Sequence, residues 1–318
     1  MRIAVLCNHP LAFLSIEALI KENLLVGLAT PQIMHETTFR VQMIAESKGI
    51  KFAMIDPNDV GKSIEQWLKQ IKADAVYVIT FPYKIPEKVL DIPQHGFFNF
   101  HTGLLPAYRG PDPIFWQILN QENNGGVTVH QMDENFDTGP LVHSEAVPIL
   151  PEDTYGQHIQ KLAIAAKKCT EQVTGSLLTS PDGVPLYDQD FSKAAYQSKP
   201  SFQDLTIDWD KDSSTRIKSL TRASNPVYGG AITFFRGVPV HLLQVSVGSM
   251  KSAPTVKPGT IVSAGAKEGI VVLCSDNKLA RLDVVYTEDG FFTGGKLASI
   301  FDIKKDEKFL PPPEQPKQ

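Results

Sequence analysis

At 318 residues, with 42% apolar and 21% charged residues and a net charge of −4, the chain has the composition of a globular protein with room for two domains. No apolar run approaches the ~20 residues that span a bilayer, so no membrane partner is expected, and the charge excludes the strongly basic footprint of a dedicated nucleic-acid binder. From Thr206 onward 15 Lys/Arg stand against 12 Asp/Glu, which leaves −7 on the residues before it and permits an anionic partner without requiring one. Cys7, Cys169 and Cys274 are far apart and odd in number; they form neither metal-ligand spacing nor a disulfide framework, which fits a reducing, cytoplasmic setting. The start, MRIAVLC, lacks a signal-peptide h-region and reads directly as a strand, with Cys7 as a small buried residue at its end.

In chain order, residues 2–7 form a near-continuous apolar run suited to a buried parallel strand. Leu11, Leu14 and Ala18 recur at helical offsets, Leu24–Ala29 gives a second strand, and a helix through Phe39, Met43 and Ser47 ends at Gly49. Ile64, Trp67, Leu68 and Ile71 mark the next helix, and Ala75–Thr80 is a β-branched strand. This alternation predicts an α/β fold, a doubly wound, mostly parallel, Rossmann-like sheet. The first strand-to-helix turn, Asn8-His9-Pro10-Leu11, carries no Gly-x-Gly-x-x-Gly, and no Walker sequence occurs, so a dinucleotide cofactor is not expected.

The stretch Phe97–Gly110, FFNFHTGLLPAYRG, is a strand in which Asn99 and His101 fall on one face, followed by a Gly/Pro loop. A polar pair at a strand end is where open α/β sheets place their chemistry. Pro113 opens a short helix, Val127–Gln131 is a strand, Met132–Pro140 a polar loop, and Leu141–Ile149 a further strand. Thr154 and Gln157 form a capping box for a long helix through Ile159, Leu162, Ala166 and Val173. His130 and His143, in strands, read as structural residues. The pattern then dissolves among Pro181, Gly183, Pro185 and Pro200. The expected division is a domain over 1–180, a linker over 181–205, a small OB-like β-barrel over 206–302, and a disordered tail over 303–318.

The two loops carry a resemblance. Asn99-Phe100-His101-Thr102-Gly103-Leu104-Leu105-Pro106, with Gly110, matches the Asn-x-His-x-Ser-Leu-Leu-Pro-x-x-x-Gly signature of the folate-dependent formyltransferases. Gly126-Val127-Thr128, Met132 and Asp137-Thr138-Gly139 match the second signature of that family. Thr206-Ile207-Asp208-Trp209, Arg222-Ala223-Ser224-Asn225-Pro226 and Pro258-Gly259-Thr260-Ile261 resemble its C-terminal barrel domain. The departure is Gly103 in place of serine, which removes a hydroxyl and admits a positive φ.

The resemblance implies transfer of a formyl group from 10-formyltetrahydrofolate to a primary amine, without a metal. It implies His101 for the proton, Asn99 as oxyanion donor, and Asp137 as partner of His101. By analogy the folate lies along Phe81, Tyr83 and Ile85, with Leu104, Met132 and Asp133 opposite. The tRNA-using members resembled here carry a basic loop after the second strand. In this chain Pro31–Lys48 holds Arg40 and Lys48 against Glu36 and Glu46. That balance disfavours tRNA and points to a small amine such as an amino-sugar nucleotide, with methionyl-tRNA as the alternative acceptor. A formyltetrahydrofolate hydrolase is the third reading, against which the barrel domain counts.

Overall fold

In a computed structural model the chain is described over residues 1–180, 183–249 and 255–310. It divides into two compact units: 1–113, 123–148 and 159–198 form the first, and 114–122, 149–158 and 199–318 the second.

The first unit is built on a seven-stranded sheet. Its strands are β1 (Ile3–Cys7), β2 (Leu25–Pro31), β3 (Lys51–Ile55), β4 (Ala75–Ile79), β5 (Phe97–His101), β6 (Asn124–Gln131) and β7 (Leu141–Pro148), in the order β3-β2-β1-β4-β5-β6-β7. The first five are parallel, whereas β6 and β7 run antiparallel to their neighbours. The Rossmann-like sheet read from the sequence is therefore present. Every residue of β1 and β4 is buried, which is why both read as unbroken apolar runs.

Around the sheet lie α1 (Phe13–Lys21), α2 (Glu36–Lys48), α3 (Val60–Ile71) and α4 (Glu87–Leu90). Asp59 caps α3 by accepting from Lys62 N at 3.2 Å, and Ile64, Trp67, Leu68 and Ile71 join the core cluster of Ala4, Leu6, Val76 and Val78. A Cβ on Gly27 of β2 would stand 2.6 Å from Ile71 Cδ1, so the glycine lets α3 approach the sheet. In α2 the buried face differs from the expected one: Val41 and Ala45 are buried with Thr37 and Thr38, while Phe39 and Met43 are 51% and 68% exposed. Short strand β3, with only Ile55 fully buried, carries too weak an apolar pattern to be read from sequence.

The chain continues through α5 (Pro113–Leu119) and α6 (Tyr155–Thr179), whose capping box is present: Thr154 N donates to Gln157 Oε1 at 2.9 Å and Gln157 N to Thr154 Oγ1 at 3.3 Å.

The second unit contains α7 (Phe202–Leu205), α8 (Ser214–Ser224) and a curled antiparallel sheet. The sheet's strands are β8 (Ala231–Phe235), β9 (Val238–Ser249), β10 (Ile261–Gly265), β11 (Gly269–Leu273), β12 (Lys278–Thr287), β13 (Gly290–Thr293) and, after α9 (Gly294–Ile300), β14 (Phe309–Leu310). Their order is β10-β11-β12-β9-β8-β14, with β13 beside β12. Residues 303–310 depart from the structureless tail expected from their charge and proline content. Phe309 is fully buried against Trp209 and Phe235, β14 pairs with β8, and Lys308 bridges to Thr260, joining the two edges of the sheet into a barrel. One aromatic in a charged run is enough to seat the segment. The remainder of the expected tail, 311–318, lies outside the described residues.

Candidate active site

The site is built where β5 ends. Strand alternation puts Asn99 and His101 on one face, and the β5–β6 register sets Asn99 opposite His130 and His101 opposite Thr128. Asp137 arrives from the 132–140 loop, its backbone in the left-handed region at φ 58°, which an aspartate tolerates better than most residues. Gly139 packs so tightly that a Cβ there would lie 1.8 Å from Gln131 O. The three residues singled out by the sequence come together. His101 Nδ1 stands 3.4 Å from Asp137 Oδ1, and Asn99 Nδ2 donates to the same oxygen at 3.4 Å.

The other side of His101 faces the loop after β5. Its Nε2 donates to Tyr108 O at 2.7 Å, and Tyr108 is itself held at φ 56°. Gly110 N donates to Asp137 Oδ2 at 2.9 Å, so the two loops are joined through the carboxylate. An imidazolium at His101 would therefore find an oxygen acceptor at each ring nitrogen, whereas the neutral ring satisfies one.

His130, read as structural, belongs to the constellation. Its Nδ1 donates to Gln131 O at 3.1 Å, leaving Nε2 to accept from Asn99 Nδ2 at 3.1 Å, and Nε2 lies 3.6 Å from Asp137 Oδ1. The carbonyl of Gln131 thus selects the tautomer that fixes which way the Asn99 amide points. The period-2 spacing of Thr128 and His130 was the signal available; what it lacked was the pairing partner.

Burial lowers the pKa of His101, against the pull of Asp137 and the Tyr108 carbonyl toward the charged form. Burial also opposes ionisation of Asp137, but His101, His130 and the Gly110 N–H outweigh it and hold the carboxyl down at about 2. At neutral pH the site is a carboxylate beside a neutral imidazole.

Gly103 does not use the positive φ that the sequence left open to it. It supplies space instead: a Cβ would meet His101 Nε2 at 2.9 Å and Pro113 Cβ at 3.1 Å. Thr128 Oγ1 donates to Gly103 O at 2.7 Å and accepts from Leu105 N at 3.2 Å, so the loop is tied to β6 without a hydroxyl at position 103.

The residues expected to line a folate pocket separate into groups. Phe81 and Met132 pack on the cluster that contains Ile85, Leu90 and Phe97, and Phe81 meets Tyr83 edge-on at 5.4 Å. Met132 also lines a cavity of about 180 Å³ with Leu90, His95, Phe97 and Gln131. Asp133 accepts from Thr138 Oγ1 at 2.7 Å and from Asn135 N at 3.0 Å, shaping the Asp137 loop. Leu104 points to β6, in the space that Gly126 leaves.

All three cysteines are buried free thiols, with pKa values pushed up to about 12 by burial, so none is primed as a nucleophile. Among the described residues no helix is long and apolar enough to cross a membrane.

Residues 26–174 match the formyl transferase family, and 201–290 match the formyl transferase C-terminal domain. A methionyl-tRNA formyltransferase of Geobacter metallireducens is 31% identical over 240 residues, 75% of this chain and 74% of that protein. The chain belongs to the formyl transferase family. A methionyl-tRNA formyltransferase of Halothermothrix orenii is 30% identical over 84% of both chains. Among solved structures, an N-formyltransferase from Helicobacter canadensis superposes with a TM-score of 0.65 at 17% identity, covering 89% of this chain and 99% of that one. This formyltransferase is accordingly an enzyme, a folate-dependent one-carbon transferase, and Asn99, His101 and Asp137 all fall inside the matched span 26–174.

Proposed function

We propose that this formyltransferase moves the formyl group of 10-formyltetrahydrofolate to the α-amine of methionyl-tRNA. The observation that carries the acceptor is the set of relatives at 30–35% identity named methionyl-tRNA formyltransferase, matched over 68–84% of this chain, beside the match of both its regions to the formyl transferase family. This replaces the small-amine preference drawn from the uncharged Pro31–Lys48 segment. That segment is largely helix α2, and an absent basic loop weighs less than similarity over 68–84% of the chain.

In the proposed reaction the amine attacks the formyl carbon, the Asn99 amide turns the hydrogen of its long bond to Asp137 onto the oxyanion, and His101 carries the amine proton to the folate nitrogen as its bond to the formyl carbon breaks. Nε2, the ring nitrogen turned away from Asp137, serves the amine: when substrate arrives the Tyr108 carbonyl releases it and the ring proton passes to Nδ1, where Asp137 accepts from it, leaving Nε2 free to take the amine proton. Asp137 stays ionised throughout and stabilises the imidazolium. The folate is proposed to lie beside Phe81, Tyr83, Ile85 and Met132.

The observation favouring a second reading is the charge of Pro31–Lys48, which suits an amino-sugar nucleotide. Incubation with 10-formyltetrahydrofolate and either charged initiator tRNA or a panel of amino-sugar nucleotides separates the two. Rapid formylation of the tRNA supports the proposal, formylation of a sugar alone overturns it, and folate release without any amine identifies a hydrolase.

A further inference from the structure

The segment Tyr187–Gln197, which reads as linker, runs along both loops of the site. At one end Tyr187 and Leu141 exchange two backbone hydrogen bonds of 2.7 and 2.9 Å. At the other, Arg109 N donates to Ala195 O at 2.8 Å and Gln197 N to Arg109 O at 2.7 Å. A Cβ at Gly110 would stand 2.1 Å from Gln197 O, so the segment lies directly on the loop.

Between these ends Gln189 turns inward and is 6% exposed. Its Nε2 donates to the carbonyl oxygens of Asp137 at 3.0 Å and Gly139 at 2.7 Å, and its Oε1 accepts from Arg109 Nη2 at 2.7 Å. The Arg109 guanidinium lies over the Phe191 ring, 4.6 Å from its centroid. One amide therefore ties the loop that supplies Asp137 to the loop that supplies the Tyr108 carbonyl and the Gly110 N–H. Both Gln189 donors are spent on carbonyls flanking Thr138, in a turn whose positive φ at Asp137 has to be held from outside.

We propose that Gln189 is a positioning residue that keeps the Asp137 carboxylate against His101, and that Tyr187–Gln197 is a strap of the catalytic site rather than a spacer. Its role is geometric: it touches no reacting atom, and it acts through Asp137.

The test is Gln189→Met, which keeps length and removes every hydrogen bond, with Gln189→Ser as a second variant should the first fold poorly. Lys69→Ala, on the exposed face of α3 and paired with Glu65, is the control and retains wild-type turnover. Formyl transfer by Gln189→Met is expected to fall about 10²-fold in kcat/KM, the scale of a misplaced catalytic group. A second readout separates positioning from mere structure. The titratable and charged groups facing His101 are Asp137, His130 and Arg109. Loosening Asp137 removes the main pull that favours protonated His101, so the acid limb of the kcat/KM profile, and the His101 ring titration followed by NMR, move to lower pH. Releasing Arg109 would move them upward, so a net downward shift shows that the loosening of Asp137 dominates. An unmoved limb, an upward shift, or a loss of activity matching only the loss of folded protein overturns the proposal.

Discussion

His101 lies between Asp137 Oδ1 and the Tyr108 carbonyl, and the consequences of that placement are residue-scale predictions. His101→Ala and Asp137→Ala are expected to lower kcat by about 10²–10⁴-fold while circular dichroism stays native, since in the proposed mechanism the ring carries the proton and the carboxylate stabilises its charged form. Asn99→Ala removes one oxyanion donor and is expected to cost about 2.7–4 kcal/mol of transition-state stabilisation, read as a fall in kcat with folate KM little changed. In the pH profile, burial lowers the pKa of His101, so the neutral base persists below the ordinary histidine range and the acid limb of kcat/KM falls under pH 6.5. The sign for stability is the same. Where an unfolded chain would already protonate this histidine the native one resists, so stability drops as pH falls through 6.5, and Asp137 adds a further loss as its carboxyl is titrated toward about 2. Urea unfolding at several pH values measures this. Asn99 and His101 were legible because a strand's period of two declares a shared face. His130 obeys the same rule, yet its role depends on the residue that β5 sets opposite it, and pairing register is not local information.

Elements show why some of the fold could be read and some not. Strands β1 and β4 were visible as buried runs, and α3 as a clean stripe. The buried face of α2 was misread because Thr37, Thr38 and Ala45, which are small or polar, occupy it, while the larger Phe39 and Met43 face outward. The strap was invisible for a deeper reason: it stands on backbone hydrogen bonds to residues about 50 to 90 positions away, which no periodicity records. The 132–140 loop gives a prediction at this scale. Gly139→Ala would push a methyl group against the Gln131 carbonyl, and it is expected to destabilise the first unit by about 1–3 kcal/mol while lowering turnover through Asp137, checked by thermal unfolding alongside kcat.

For the whole molecule, the two units interleave, the chain passing between them after 113, 122, 148, 158 and 198, an exchange that composition, with its one expected linker over 181–205, does not express. The second unit depends on its last described strand. Phe309→Ala empties a site between Trp209 and Phe235 and is expected to cost about 3–5 kcal/mol, measured as a lower urea midpoint for the barrel's unfolding with the His101 titration unchanged. The path of the strap also sets an order of events. As the chain is synthesised from its N-terminus, all seven strands of the first sheet emerge before Gln189 does. A nascent chain ending at Thr179 therefore has Asn99, His101 and Asp137 but no strap, and its two loops are unfastened. On the proposed role of the strap, the loops are fastened only when the next eighteen residues, through Gln197, have left the ribosome.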